Sequence, residues 1–372
     1  MTTLLEKTMV IEEIDVPGFY KVLKAEDAKS GLKAIIAIHS MDLGRAAMGG
    51  TRIYPYPDFK AALTDVKRLA RGMTHKSAAS QSGWGGGKSV IIADPKTEKT
   101  PALLAAFGEF VNSLKGEYIC AEDSGCNPDD LLIVAKHTPY VVGLPHEKSS
   151  GNPCPFTAWG VFRGIQAVMH QLFGSDSLEG KRVAIQGLGG VGLRLAELLF
   201  WRGAKLIVTD LNQEAVDFVV KNFSAKGVAP DAIYDEPCEV FSPCALGGVI
   251  NTATIERLRC RAIAGAANNQ LLTDADGEEL RRLGLLYAPD FVINGGGLVN
   301  VTEETKERGY NPVESRNKTD KIYDQLRLIF DIAERNGIST QKAVMQLVEY
   351  RLQYGVGKRN DTIFMHHANL RY

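Results

Sequence analysis

The chain has 372 residues, 45% of them apolar and 23% charged, with a formal net charge of −1. That length favours two domains over one, and the composition is ordinary for a globular protein with sizeable cores. A balanced charge gives no electrostatic footing for nucleic acid or an anionic membrane, and no apolar run approaches the roughly 18 residues of a membrane span. The N-terminal stretch MTTLLEKTMVIEEID has acidic residues where a secretory signal needs an unbroken apolar region, so a cytoplasmic location is expected. The six cysteines (Cys120, Cys126, Cys154, Cys238, Cys244, Cys260) show no CxxC spacing and no histidine-rich neighbours, which predicts reduced thiols and no metal site.

Residues 9–40 hold short extended patterns, the clearest being LKAIIAIHS, whose β-branched character reads as a buried strand. It leads into MDLGRAAMGGTRIYPYPD, where Gly49 and Gly50 permit close backbone approach and Pro55 and Pro57 stop a strand, so a tight or ligand-facing loop is predicted. After Asp58, Ala62, Val66, Leu69, Ala70 and Met73 recur at three- and four-residue spacing, an amphipathic helix ending in Lys76. QSGWGGGKSV follows as a glycine loop that places Lys88 at the head of an apolar strand, 89–94, where backbone can come close to a small ligand. It is not a phosphate loop, because GxxxxGK[ST] ending at Gly87-Lys88-Ser89 needs glycine where Ser82 stands. A helix near 101–115, a strand at 117–122 that delivers Asp123 into a loop, and a helix capped by Asn127 with Pro128 at its first position complete the half. Lysines are usually solvated and aspartates usually cap or turn, so each is weak alone. Lys76, Lys88 and Asp123 at the ends of alternating strands and helices describe an α/β domain with a polar constellation on its loops.

A helical pattern through Val161, Ile165, Val168 and Leu172 opens the second half. KRVAIQGLGGVGLRLAELLFWRGAKLIVTD then supplies a strand, Gly187-x-Gly189-x-x-Gly192, a helix, a second strand and Asp210. The glycine pattern alone is weak; between strand and helix, with an acidic residue at that distance, it is the context of a dinucleotide site. Its glycines allow the turn, the approach of the pyrophosphate and close helix packing. Asp210 would accept from a ribose diol and repel a 2′-phosphate, and neither Leu211 nor Asn212 adds a cation, so NAD is favoured over NADP. Strands are predicted within 240–250, 262–271 and 285–297, with Ala245, Asn268-Asn269 and Asn294-Gly295 at or beyond their apolar parts, where a parallel sheet binds ligands. Asparagine is equally a turn former. Past residue 304 the pattern is helical, with Gly337 as a stop.

MGGTRIYPYP, RLARGMTHK, GGGKSVIIADP, YICAEDSG, SSGNPCPFTAWGV, QGLGGVG, SPCAL, GAANNQL and YAPDFVINGGGLVNV, in that order, resemble the amino-acid dehydrogenases acting on leucine, valine and phenylalanine, relatives of glutamate dehydrogenase, almost end to end. The resemblance implies reversible oxidative deamination of an L-amino acid to its 2-oxo acid and ammonia, with hydride passing to NAD. It implies two α/β domains around a deep cleft: an N-terminal substrate and oligomerisation domain with a mixed sheet, 1–145, onto which 345–372 packs back, and a Rossmann-type NAD domain, 146–344. It implies a homo-oligomer, an octamer among the states expected. By the same resemblance Lys76 holds the α-carboxylate, Lys88 activates water and stabilises the carbinolamine, and Asp123 exchanges protons with the amine. Gly49 and Gly50 lie beside the substrate. Thr157 orients the nicotinamide carboxamide, Asn268 and Asn294 sit near substrate and nicotinamide, and Gly187, Gly189, Gly190, Val191, Gly192, Asp210 and Ala245 form the NAD site.

Substrate choice turns on departures within that pattern. Where glutamate dehydrogenases typically carry a lysine and a serine for the side-chain carboxylate, this chain has Met48 and Val301, so a glutamate side chain would be buried without a cation. Ala121 and Val301 resemble leucine-type members, whereas Leu298 fits neither the leucine nor the phenylalanine pattern. Leucine, isoleucine and valine are the expected substrates, with phenylalanine as the alternative and a non-catalytic NAD-binding regulator as a reading from another class. Asn294-Gly295-Gly296-Gly297 departs from the usual NAGG and predicts a looser loop.

Overall fold

A computed structural model describes residues 9–145 and 149–366. The chain forms two compact units, one of Met1–Asn152, Val301–Asn311 and Arg351–Tyr372, the other of Pro153–Asn300 and Pro312–Tyr350. The residues before 9 and after 366 in the N-terminal and C-terminal stretches lie outside the described residues.

In the first unit, β1 (Met9–Glu13), β2 (Lys21–Asp27), β3 (Leu32–Ser40), β4 (Ala47–Tyr54), β5 (Gly85–Ile92) and β6 (Tyr118–Glu122) make one mixed sheet in the order β1-β2-β3-β5-β4-β6. β1, β2, β3 and β5 are antiparallel to their neighbours, while β5, β4 and β6 run parallel. Alternate residues of β3 feed two cores, as a strand's two-residue period requires. Ile35 and Ala37 join Ala62, Val66 and Ala70 of α1 (Phe59–Ser80). Ile36 and Ile38 join Phe107 and Phe110 of α2 (Pro101–Ser113) and Leu131 and Val134 of α3 (Pro128–Ala135). Asn127 caps α3 with a reciprocal capping box, and Pro128 takes its first turn.

The structure corrects three expectations here. Gly49 and Gly50 lie within β4, Gly85 to Gly87 lie within β5, and Lys88 sits inside that strand opposite Ala37 instead of at its head. α1 runs four residues past Lys76, to Ser80. The glycines are strand residues because neighbours occupy the space of their side chains. A Cβ on Gly86 would collide with the Thr74 backbone of α1, and one on Gly87 would lie 2.9 Å from the Tyr118 ring. Close packing of helix and ring against the sheet outweighs glycine's local preference for loops.

Two further contacts shape this unit. The last carbonyls of α1, on Ala78 and Ala79, accept from Nη1 of the buried Arg351 at 3.1 and 2.8 Å, a cation at a helix C-terminus. Buried Glu304 accepts from Gly143 N (2.9 Å), Ser149 Oγ (2.5 Å) and Ser150 N (2.6 Å), which ties 301–311 into this unit; nothing in the sequence pattern anticipated that.

The second unit holds β7 (Arg182–Gln186), β8 (Lys205–Thr209), β9 (Lys226–Gly227), β10 (Val240–Pro243), β11 (Ala262–Ile263) and β12 (Leu286–Tyr287), all parallel, in the order β12-β11-β10-β7-β8-β9. Counted from β7 this is 3-2-1-4-5-6 in reverse, the doubly wound arrangement. The strands predicted over 240–250, 262–271 and 285–297 shrink to the four residues of β10 and the two each of β11 and β12. Beyond them Gly, Asn and Pro turn the chain into loops and short helices, including one over Asp290–Ile293, which ends at Asn294. The longer helices are α4 (Cys154–Phe173), α5 (Gly192–Phe200), α6 (Gln213–Phe223) and α7 (Ile322–Asn336), the last closed by Gly337 at φ 63°, the stop its sequence predicts. Among the described residues no helix is long and apolar enough to cross a membrane.

The Gly87 contact is testable. Gly87→Ala should lower stability by about 1 to 3 kcal/mol in thermal or urea unfolding, because a methyl must displace the fully buried Tyr118 ring. An unchanged midpoint would show that the ring yields freely.

Candidate active site

The parallel strands β5, β4 and β6 end in the same direction, so their residues line up. Met48 pairs with Gly86 and Gly50 with Ala121, and Asp123 follows directly after β6. Beneath this edge, the Tyr118 hydroxyl donates to Gly49 O (2.8 Å) and lies 3.0 Å from Ser89 Oγ, which donates to Thr51 Oγ1 (3.0 Å). These buried hydroxyls satisfy one another and fix the three strands together. The Asp123 loop is held as firmly: Ile53 N donates to Ser124 O (2.9 Å) and Cys126 N to Asp123 O (2.9 Å).

On this frame Lys88 Nζ forms an ion pair with Asp123 Oδ2. The lysine side chain is 8% exposed and the aspartate 20%. Asp123 Oδ1 accepts from Ser124 N at 2.5 Å and lies 3.7 Å from Arg52 Nη2. Burial opposes ionisation of Asp123, but Lys88, Arg52 and these hydrogen bonds outweigh it and hold its carboxyl at about 2. Gly50 leaves the pair room: a Cβ there would stand 2.9 Å from Asp123 Cβ and 3.2 Å from Lys88 Nζ. Lys76 is half-buried near the end of α1, two residues past the Thr74–Gly86 packing contact. Met48 and Val301 are buried in the same unit and Ala121 is half-buried. Arg52 escaped the sequence reading; a lone cation inside the strand run GGTRIY was the signal for it.

The second unit carries the other predicted residues. Gly187 follows β7 at φ 102°, where a Cβ would lie 2.7 Å from Ala245 Cβ just past β10, so the turn sits where the strand order reverses. A Cβ on Gly192 would strike Gly187 O, and one on Gly190 would lie 2.9 Å from Cys154 Sγ, whereas one on Gly189 would meet nothing within 4 Å. Gly189 is thus open to a ligand while its neighbours are packed, and α5 begins behind it with Val191 as N-cap. Asp210 accepts from Leu188 N (2.5 Å) and Asn212 N (2.8 Å), which fixes its carboxylate beside the turn. Asn294 Nδ2 donates to Asn268 Oδ1 (2.7 Å) and Ala266 O (3.1 Å), and Asn294 Oδ1 is a buried acceptor with no partner. A carboxamide N–H is the chemistry that would satisfy it. Thr157 Oγ1 would lie 2.8 Å from a Cβ on Gly297, and a Cβ on Gly296 would strike Phe156 O, so those two glycines are required by packing. Gly295, the departure from NAGG, keeps an ordinary φ and donates to Val292 O at 3.0 Å. Leu298, next to this run, is buried. Asn268 and Leu298 therefore belong to the second unit and the remaining predicted substrate residues to the first.

The six cysteines form no disulfide with one another, and among the described residues no group of three or more His, Cys, Asp or Glu could hold a metal ion.

Comparison with known proteins gives concordant matches. Residues 20–140 match the family model described as Glu/Leu/Phe/Val dehydrogenase, dimerisation domain, and residues 208–325 the model for glutamate/leucine/phenylalanine/valine dehydrogenase. The chain is 46% identical over 362 residues to leucine dehydrogenase of Thermoactinomyces intermedius, covering 97% of this chain and 98% of that protein. It is also 46% identical over 341 residues to phenylalanine dehydrogenase of Caldalkalibacillus thermarum, covering 90% and 91%. The crystal structure of L-tryptophan dehydrogenase from Nostoc punctiforme superposes with a TM-score of 0.80 at 42% identity, covering 91% of this chain and 97% of that one.

Gly50→Ala tests the first-unit geometry. The methyl would stand 2.5 Å from the Glu122 backbone oxygen as well as 2.9 Å from Asp123 Cβ, so the Asp123 loop must shift; the thermal midpoint should fall and kcat should drop by about 100-fold, the effect of a displacement of roughly 1 Å. Wild-type kcat in that variant would mean the pair tolerates the extra atom.

Proposed function

This chain belongs to the Glu/Leu/Phe/Val dehydrogenase family, and we propose that it carries out the reversible oxidative deamination of leucine, isoleucine and valine to their 2-oxo acids and ammonia, with NAD as the partner in hydride transfer. The observation that carries this reading is the Lys88–Asp123 ion pair on three parallel strands, two of them, β4 and β5, lined by glycine. A non-catalytic dinucleotide-binding protein has no chemical use for such a pair.

The roles follow from the groups. Lys76, a half-buried cation, holds the substrate carboxylate. Asp123 is ionised at neutral pH and so meets an amino acid as a proton acceptor; beside Lys88 its carboxylate is a weak base, and it takes the ammonium proton, before hydride leaves the α-carbon, once Lys88 has turned away from it. Lys88 then directs water onto the iminium carbon and stabilises the carbinolamine formed as one water proton is lost to solvent; Asp123 returns its proton to the nitrogen, and the C–N bond breaks with the hydroxyl proton passing to the leaving ammonia. NAD, when bound, supplies the hydride acceptor. Gly187, Gly189, Gly190, Val191 and Gly192 would hold its pyrophosphate, Asp210 its adenosine ribose, and Ala245 would line its nicotinamide side. Thr157 and Asn294, beside Asn268, would hold its carboxamide. The fixed Asp210 carboxylate with no cation at Leu211 or Asn212 supports NAD over NADP.

Met48 and Val301 put apolar, buried side chains where a glutamate carboxylate would need a cation, at a cost of several kcal/mol by order of magnitude. Overall identity favours leucine, though narrowly: leucine dehydrogenases reach 48% and phenylalanine dehydrogenases 46%. Ala121 and Val301 support the smaller branched-chain substrates, while Leu298 keeps phenylalanine as the second reading. The match to a dimerisation-domain model supports assembly from copies of this chain, for which the octamer is part of our reading, as is a cytoplasmic location.

The test is NADH formation with purified protein at alkaline pH, comparing leucine, isoleucine, valine, phenylalanine and glutamate, each with NAD and with NADP. Rates confined to the branched-chain substrates with NAD are expected. A dominant rate with phenylalanine would overturn the specificity, and no rate with any amino acid would overturn the reaction.

A further inference from the structure

We propose that Arg52 is a positioning residue of this site: its guanidinium bridges Asp123 to Asp65 of α1 and keeps the Asp123 carboxylate in place when Lys88 turns to the substrate. The inference rests on the function proposed above.

Arg52 lies on β4 two residues beyond Gly50, so the two face the same side of the sheet, the side on which Asp123 Cβ and Lys88 Nζ lie against Gly50. Its Nη2 is 3.7 Å from Asp123 Oδ1 and its Nη1 3.0 Å from Asp65 Oδ2. Asp65 Oδ2 also accepts from the Tyr56 hydroxyl at 2.6 Å, and Asp65 Oδ1 lies 3.3 Å from Arg68 Nη2. The guanidinium is thus held from the far side by a carboxylate that is itself fixed. The two oxygens of Asp123 are divided: Oδ2 belongs to Lys88, Oδ1 to Ser124 N and Arg52. A substrate amine that engages Lys88 or Asp123 must open their pair. Arg52 is then the cation that stays.

The surrounding charges fit this task. Asp123 faces Lys88 on β5 and Arg52 on β4, with Glu122 beside it on β6; burial, and then Asp123, push the Glu122 carboxyl up. Arg52 faces Asp123, Asp65 and the Tyr56 hydroxyl, with Arg68 across Asp65. Burial works against its charge, and Asp123 followed by Asp65 restores it. A planar fork can serve two carboxylates at once, whereas an ammonium serves one well, so arginine is the residue this bridge requires. The same guanidinium also couples three elements that carry site residues: β4 with Gly49 and Gly50, the end of β6 with Asp123, and α1 with Lys76.

The test uses full-length Arg52→Gln, Arg52→Lys and Asp65→Asn beside the wild type. For each, kcat and KM for leucine, the solvent isotope effect on kcat, NADH affinity by fluorescence and the thermal midpoint are measured. Arg52→Gln should lower kcat by about 10- to 100-fold, with a smaller change in KM and NADH affinity preserved. Its solvent isotope effect should rise, because proton exchange at a wandering Asp123 becomes limiting. Arg52→Lys should recover part of the loss, and Asp65→Asn should fall between wild type and Arg52→Gln. If Arg52→Gln does not fold, the other two variants decide by the same readouts. Wild-type kcat in Arg52→Gln would overturn the proposal, as would a kcat loss that tracks the thermal midpoint with no change in isotope effect and no recovery in Arg52→Lys. A wild-type enzyme active on leucine beside an unaffected Arg52→Gln defeats only this inference; a wild type inactive with every amino acid defeats the reaction itself.

Discussion

A lysine and an aspartate withdrawn from water are stable beside each other and costly apart. The first unit is built around that constraint. Lys88 and Asp123 come from different strands, and they meet because β5, β4 and β6 run parallel and close enough for one carboxylate to follow β6 into reach of an amine on β5. Each small residue near them removes an obstacle. Gly86 admits α1, Gly87 admits the Tyr118 ring, and Gly50 leaves the pair its space. The chain gives up packing area at these positions and gains a largely buried ion pair.

The second unit follows a different rule. Its sheet needs no buried charge; its site arises from topology, where β7 and β10 send their connections opposite ways. Gly187 is pressed against Ala245, Gly192 against Gly187 and Gly190 against Cys154, so the turn is a rigid shelf with one open place at Gly189. Asp210 is fixed in advance by two backbone N–H groups and does not have to be ordered by a ligand. The buried, unpartnered Oδ1 of Asn294 marks the other end of the same unit's polar lining. One unit thus presents acid–base groups and the other presents donors and acceptors suited to a dinucleotide.

Local signals in the sequence reached some of this and not the rest. Asn127-Pro128, Gly337 and the Gly187–Gly192 turn were legible because caps, stops and tight turns are set by a few adjacent residues. The strand glycines of β4 and β5 resemble loop glycines in sequence because what crowds them lies far along the chain: the Gly87 and Glu122 backbone for Gly49 and Gly50, Thr74 and Tyr118 for Gly86 and Gly87. β11 and β12 were overextended because apolar runs continue past the point where pairing stops. Lys88 and Asp123 stood out as charges at the ends of apolar runs, but Arg52 did not. Its partners, Asp65 and Asp123, lie on other elements, and no spacing rule connects them. The place of 301–311 in the first unit depends on Glu304 and the backbone it holds, which is likewise a tertiary fact.

Lys88→Ala, assayed for leucine-dependent NADH formation and, separately, for NADH binding by fluorescence, separates the chemistry proposed for the Lys88–Asp123 pair from dinucleotide binding by the second unit. Turnover should disappear while NADH affinity stays near that of the wild type. Comparable turnover without Lys88 would mean that the pair does not perform the reaction.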